Sequence, residues 1–141
     1  MLNSIEGRRV KAAVLPVADA QASSPGTILV VTGDGNLAAA VTRVLEQEGF
    51  DVVIARHAGH ALLAAIMRNY IDVMISDLAL DDMTGESLAS TLRRHHPALR
   101  SLYIADQVAQ HPGPVLVRPF TRDELLQELS TLPLAAISQA F

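Results

Sequence analysis

Asp72-Val73-Met74-Ile75-Ser76-Asp77 is a short apolar run bracketed by carboxylates, and Leu78-Ala79-Leu80-Asp81-Asp82-Met83-Thr84-Gly85 follows it. The run from 72 to 76 shows no alternation of polar and apolar residues. It predicts a strand buried on both faces, as in a parallel sheet covered by helices. From about 84 to 96 the pattern changes to helical spacing, with Leu88 and Leu92 facing inward. Asp77 therefore stands at the carboxyl end of a central strand. Open α/β sheets gather their functional groups there.

The same alternation extends in both directions. Ile28-Leu29-Val30-Val31 predicts a strand that stops at Gly33. A helix follows, with Asn36 as its expected cap, Leu37, Val41, Val44 and Leu45 at helical spacing, and Gly49 at its end. Residues 51–55 predict a second strand and about 59–70 a second helix. Beyond the quoted stretch, residues 100–105 and 115–117 predict two more strands. A last helix begins at Thr121, which forms a capping box with Glu124. Strands alternating with helices of this length predict an α/β fold, a doubly wound five-stranded parallel sheet.

Only nine residues, 106–114, separate the fourth and fifth strands, and Pro112, Gly113 and Pro114 are among them. A helical crossover needs about a dozen residues. Nine extended residues reach about 30 Å, enough to return along a strand of about 17 Å. The helix between strands four and five is thus expected to be shortened or absent. One face of these two strands would then be bare unless a second copy, a partner or the tail 132–141 covers it.

The chain has 141 residues, a length that suits one domain, and 50% of them are hydrophobic. Its net charge is −4 with both signs dispersed, so no nucleic acid is expected as a direct partner. It has no cysteine, which excludes disulfides and thiolate metal sites and fits a cytoplasmic protein. No apolar run reaches the roughly 18 residues of a membrane span, so no membrane association is expected. Residues 1–26 lack a steady period and end in Ser23-Ser24-Pro25-Gly26, which predicts a flexible N-terminal linker. Arg8, Arg9 and Lys11 precede a short apolar stretch, but Pro16 breaks it, which argues against a secretion signal. Ile5-Glu6-Gly7-Arg8 also matches a protease site used to remove tags. The expected domain is 27–131, followed by a tail, 132–141.

The loop from Asp77 to Gly85, together with Arg118-Pro119-Phe120 after the last strand, resembles the response-regulator receiver family (CheY-like) over about residues 27–129. That family has a flavodoxin-like five-stranded sheet and accepts a phosphoryl group from a histidine kinase onto an Asp, using Mg²⁺. The resemblance makes Asp77 the phosphoacceptor. Other positions depart from the family's pattern. Its metal-holding acidic pair falls on Thr32 and Gly33, with Asp34 displaced by one as the remaining candidate ligand beside Asp77. Its switch hydroxyl falls on Ala105, its switch aromatic on Val115 and its Lys on Arg118. Mg²⁺ usually takes one or two carboxylates in near-octahedral geometry, so only weak Mg²⁺ binding, or none, is expected. Arg118 could pair with Asp77 in a bidentate contact. The plain alternative for Asp77 is a loop acid with no role.

Gly33-Asp34-Gly35-Asn36-Leu37-Ala38 also fits the G-x-G-x-x-A dinucleotide fingerprint, with Arg56 placed to meet a 2′-phosphate. That NADP-binding reading leaves the Asp77 loop and Arg118-Pro119-Phe120 without a role. The plain alternative for the glycines is a tight strand-to-helix turn. His57, His60, His95 and His96 lack an acidic or cysteine ligand nearby, so surface or capping roles are expected. The sequence thus reads as a phosphorelay receiver-like domain with an impaired pocket. It is not expected to be an enzyme. It would work by contact with a histidine kinase or another signalling protein, or as a homodimer. The second reading keeps phosphorylation at Asp77.

Overall fold

The computed structural model describes residues 26–107 and 114–132. Five strands form one all-parallel sheet: β1 (Thr27–Val31), β2 (Asp51–Ala55), β3 (Val73–Asp77), β4 (Arg100–Ala105) and β5 (Val115–Val117). Their order is β2-β1-β3-β4-β5. Four helices are found among the described residues: α1 (Gly35–Gln47), α2 (Ala58–Met67), α3 (Gly85–Leu92) and α4 (Arg122–Thr131). The expected doubly wound, flavodoxin-like architecture is thus present. Residues 108–113, where the shortened crossover was expected, lie outside the described residues, as do most of the expected N-terminal linker and the tail from 133.

Period-two alternation divides the apolar side chains of the strands between two layers. Ile28, Val30, Val73, Ile75, Leu102, Ile104 and Leu116 pack with Val41 and Leu45 of α1 and Leu125 and Leu129 of α4. Leu29, Val31, Met74 and Tyr103 face the other way, onto α2 and α3. Helix α2 buries only small side chains, Ala58, Ala61 and Ala65, so its backbone can lie close to the sheet. Helix α3 seats Leu88, Ala89 and Leu92.

Several element ends differ from expectation. Asp34 caps α1, accepting hydrogen bonds from the amides of Asn36 and Leu37. Asn36 is already inside the helix. Gly49, at φ 94°, follows the helix in the left-handed region that suits glycine. Helix α2 stops at Met67, short of residue 70, because Arg68 is extended (φ −113°, ψ 140°). Helix α3 closes at Leu92, and turns carry the chain through His95 and His96. Asp77 is the last residue of β3 and not the first of the loop.

The segments that bear on the face expected to be bare on the fourth and fifth strands, 108–113 and the tail from 133, lie outside the described residues. Ser101 and Tyr103 are both buried. Arg93 reaches over from the end of α3, donating from Nη2 to Ser101 Oγ (2.6 Å) and from Nε to the Leu99 carbonyl (3.2 Å). Tyr103 lies under the start of α3, close to Gly85. Arg93 thus ties the end of α3 to the start of the fourth strand.

Candidate functional site

The strand order reverses between β1 and β3, the switch point at which open α/β sheets form their clefts. Register pairs Val31 of β1 with Ser76 of β3, and Asp77 of β3 with Ile104 of β4. The parallel ladder therefore brings Thr32, Asp77 and the end of β4 to one edge. Ala105 is opposite Val117, which delivers Arg118 to the same edge.

Asp77 keeps 13% of its side-chain surface exposed, and both carboxylate oxygens are engaged. Thr32 is fully buried, and its hydroxyl donates to Asp77 Oδ2 at 2.8 Å. The same hydroxyl accepts from the Asp34 amide at 3.2 Å. Arg118 Nη2 donates to Asp77 Oδ1 at 3.0 Å, and Nη1 donates to Asp34 Oδ2 at 3.1 Å. Its Nε lies 3.3 Å from Asp106 Oδ1, an ionic contact without hydrogen-bond alignment, since Nε has no hydrogen-bond partner. The expected bidentate Arg118–Asp77 fork is therefore replaced. A planar guanidinium has donors on three sides, and here each side meets a different carboxylate.

Asp34 is in the pocket, but as a cap. Its Oδ1 accepts from the amides of Asn36 and Leu37 at 3.0 and 3.1 Å. Those amides, chiefly that of Leu37, outweigh desolvation and, with Arg118, hold the Asp34 carboxyl below the usual carboxylate range. Asp77 shifts the other way. Burial pushes its carboxyl up, although Thr32 and Arg118 both favour the charged form. Gly33 supplies a carbonyl, which accepts from Arg56 Nη2 at 3.1 Å. Ala105 is half-buried at the end of β4, and its carbonyl accepts from the Arg118 amide at 2.9 Å. Val115 opens β5.

The dinucleotide reading fails on this geometry. A pyrophosphate would need the free amides at the start of α1, and the Asp34 carboxylate already occupies them. Arg56 closes the turn through Gly33. Two histidines have the expected capping roles. His57 caps α2, its Nδ1 accepting from the His60 amide, and His60 Nδ1 accepts from the Arg56 amide at 3.4 Å. His95 is exposed as expected. His96 is different: it is buried, with Nε2 2.9 Å from the Ala65 carbonyl, and ties α2 to the end of α3.

Two participants escaped the sequence reading. Asp106 follows Ala105 directly, so the pairing of Ala105 with Val117 could have placed it beside Arg118. Asp82 approaches the α2 amides of Ala58 and Gly59 at 3.4 and 3.3 Å, a contact between distant segments with no local signal. No group of three or more His, Cys, Asp or Glu poised to hold a metal is found among the described residues. No helix among them is long and apolar enough to cross a membrane.

Comparison with known proteins gives the same picture. The family described as the response regulator receiver domain matches residues 28–112. A probable transcriptional regulatory protein of Mycobacterium tuberculosis, TcrX, is 31% identical over 77% of this chain and 50% of its own length. The transcriptional regulatory protein GlrR of Escherichia coli is 30% identical over 74% of this chain and 26% of its own length. This chain thus spans half or less of the length of these relatives. Among solved structures, the chemotaxis response regulator CheY4 of Vibrio cholerae superposes with a TM-score of 0.67 at 23% identity, covering 74% of this chain and 96% of that one. A signal receiver domain from Pseudomonas fluorescens reaches 0.70 at 20% identity, over 81% and 98%. With the sheet order, the Asp77 loop and the family match in agreement, the chain belongs to the response regulator receiver domain family of two-component signalling.

Proposed function

We propose that this receiver domain works as a protein-interaction module whose pocket is held in one state by Arg118, without a Mg²⁺-dependent phosphorylation cycle at Asp77. The observation that carries the reading is the guanidinium shared by Asp77, Asp34 and Asp106. It places a fixed cation among the carboxylates that a divalent ion would need. Each candidate donor already has a partner: Asp77 has Thr32 and Arg118, and Asp34 has the α1 amides and Arg118. The residues present do not fit Mg²⁺, which prefers near-octahedral oxygen ligands and gives up its water reluctantly. Without a divalent ion, the repulsion between Asp77 and an incoming phosphoryl group is offset only by Arg118, which the Asp77 carboxylate already holds. Ala105 has no hydroxyl to engage a phosphoryl oxygen.

The partner in this reading is a histidine kinase or another signalling protein that recognises the folded domain. The test is incubation of the full chain with Mg²⁺ and an acyl-phosphate donor, followed by intact mass. An unchanged mass is expected. A stable phosphoryl adduct on Asp77 would favour the second reading, a working phosphoacceptor. The position of Asp77 at the end of β3, with part of its carboxyl still exposed, is the observation on that side.

A further inference from the structure

Helix α2 has a second apolar face that the domain does not cover. Leu63, Ile66 and Met67 are 55%, 63% and 76% exposed, whereas the sheet-facing side of the same helix buries Ala58, Ala61 and Ala65. The exposed three sit at i, i+3 and i+4, so they form one stripe. Gly59 and His60, also exposed, extend it one turn toward the amino end. Tyr70, 71% exposed, follows just past the helix. Isolated exposed apolar residues are ordinary, but a contiguous stripe marks a contact surface.

We propose that this stripe is a twofold interface between two copies of the chain, with the α2 helices antiparallel and crossing at Leu63. Two observations select a second copy as the occupant. The first is the stripe's symmetry about Leu63. In an antiparallel pair centred there, Leu63 meets its own counterpart, Ile66 faces His60, and Met67 faces Gly59. A Cβ added to Gly59 would meet only the ring of His57, so the partner's Met67 can approach the backbone closely.

The second observation is charge. From Ala58 to Met67 the helix carries no Asp, Glu, Lys or Arg, so like charges do not oppose each other across the axis. Just beyond its carboxyl end stands exposed Arg68, and beside its amino end stands exposed Asp82, near the amides of Ala58 and Gly59. Neither side chain has an ion pair among the described residues. The antiparallel register sets Arg68 of each copy opposite Ala58 of the other, within reach of that copy's Asp82. The two contacts are equivalent by symmetry, as an isologous interface requires. The three apolar side chains supply a core of several hundred Å² per copy. With Gly59, His60, Arg68 and Asp82 as rim, two copies approach the roughly 1,000 Å² of a specific interface. This interface does not depend on the state of Asp77.

The experiment is sedimentation of the full chain across concentration, with variants checked for native circular dichroism. A dimer with Kd on the order of 10 μM is expected. Leu63→Glu, which puts two carboxylates on the axis, should raise Kd at least about tenfold. Arg68→Glu and Asp82→Arg should each weaken pairing about fivefold, and the double exchange should restore it to within about twofold. The chain has no native cysteine, so Leu63→Cys should form a disulfide-linked dimer under mild oxidation, while Arg43→Cys on α1 should not. A chain that is monomeric at every concentration overturns the proposal, even if hydrogen exchange then shows α2 covered by the chain's own residues 1–25. A dimer indifferent to Leu63→Glu and to the charge exchange overturns it as well.

Discussion

Arg118 and Asp77 set the character of the pocket. Lysine at position 118 would offer a single point charge on a flexible stem. Arginine offers donors in three directions; Asp34 and Asp77 accept hydrogen bonds from two of them, and Asp106 meets the third in an ionic contact only. Wild-type affinity for Mg²⁺ should therefore be millimolar or weaker by titration calorimetry. Arg118→Met, which leaves the three carboxylates without a cation, should bind Mg²⁺ more tightly than wild type. Equal or weaker binding by that variant would remove Arg118 from the explanation. The carboxyls also predict a titration order. The Asp77 carboxyl is raised, so its contribution to stability is present below the ordinary Asp value and lost as pH rises through its folded value. The Asp34 carboxyl is lowered, so its contribution is present above the ordinary value and lost as pH falls through its folded value. Carboxyl-detected NMR should show Asp77 protonating first on acidification. Asp77→Asn keeps a carbonyl to accept from Arg118 and turns its NH2 toward the Thr32 hydroxyl as acceptor. It removes the buried charge and should be at least as stable as wild type at neutral pH. A large loss of stability there would mean that the Arg118 pair outweighs burial. The residues of this pocket were legible in the sequence, because Thr32, Asp34, Asp77 and Arg118 follow the ends of strands that a parallel sheet brings to one edge. The sharing of Arg118 was not legible, since it depends on Asp106 arriving from β4 and on Asp34 turning back to cap α1.

Helices and strands were legible to different degrees, for physical reasons. Strands β1 and β3 are buried on both faces, so unbroken runs such as Ile28-Leu29-Val30-Val31 declare them. Helix ends depend on single hydrogen bonds. Asp34 and Asn36 are both good caps, and only the observed β-region backbone of Asp34 (φ −85°, ψ 103°) separates them. Asp34→Ala should therefore lower the urea unfolding midpoint, while Asn36→Ala should change it little. The reverse ranking would move the start of α1. Gly85 carries a stronger constraint at the element level. A Cβ there would lie 2.5 Å from the Asp77 carbonyl and 3.2 Å from both Ser76 Oγ and the Tyr103 ring. The first of these atoms is backbone and cannot swing aside. Gly85→Ala should cost about 1–3 kcal/mol, as overpacking does, and should shift the Asp77 amide in NMR spectra. An alanine variant as stable as wild type would show that α3 can slide outward freely.

At the scale of the whole molecule, the question is whether the pocket still exchanges free energy with a ligand. Anything that binds only the folded chain stabilises it in proportion to its saturation. If Thr32, Gly33 and Arg118 leave no divalent site, millimolar Mg²⁺ should move the melting temperature of the wild type by no more than screening of its surface charge does. A variant carrying Thr32→Asp, Gly33→Asp, Ala105→Thr and Arg118→Lys should behave differently. Thr32 is fully buried and donates to Asp77. A carboxylate in its place removes that donor and sets two like charges together in a desolvated pocket. Without metal, this variant should therefore melt below wild type. Mg²⁺ should then recover it, by about 2.7 kcal/mol at a concentration one hundred times its Kd. Only the variant should then respond to an acyl-phosphate donor, with amide shifts spreading from Asp77 toward β5 through residue 105, whose strand neighbour is Val117. The comparison needs only thermal melts of two proteins with and without Mg²⁺. A wild-type melt that rises with Mg²⁺ as steeply as the variant's would mean that Arg118 yields its carboxylates to the ion, and the reading of a pocket closed by its own side chain would have to be abandoned.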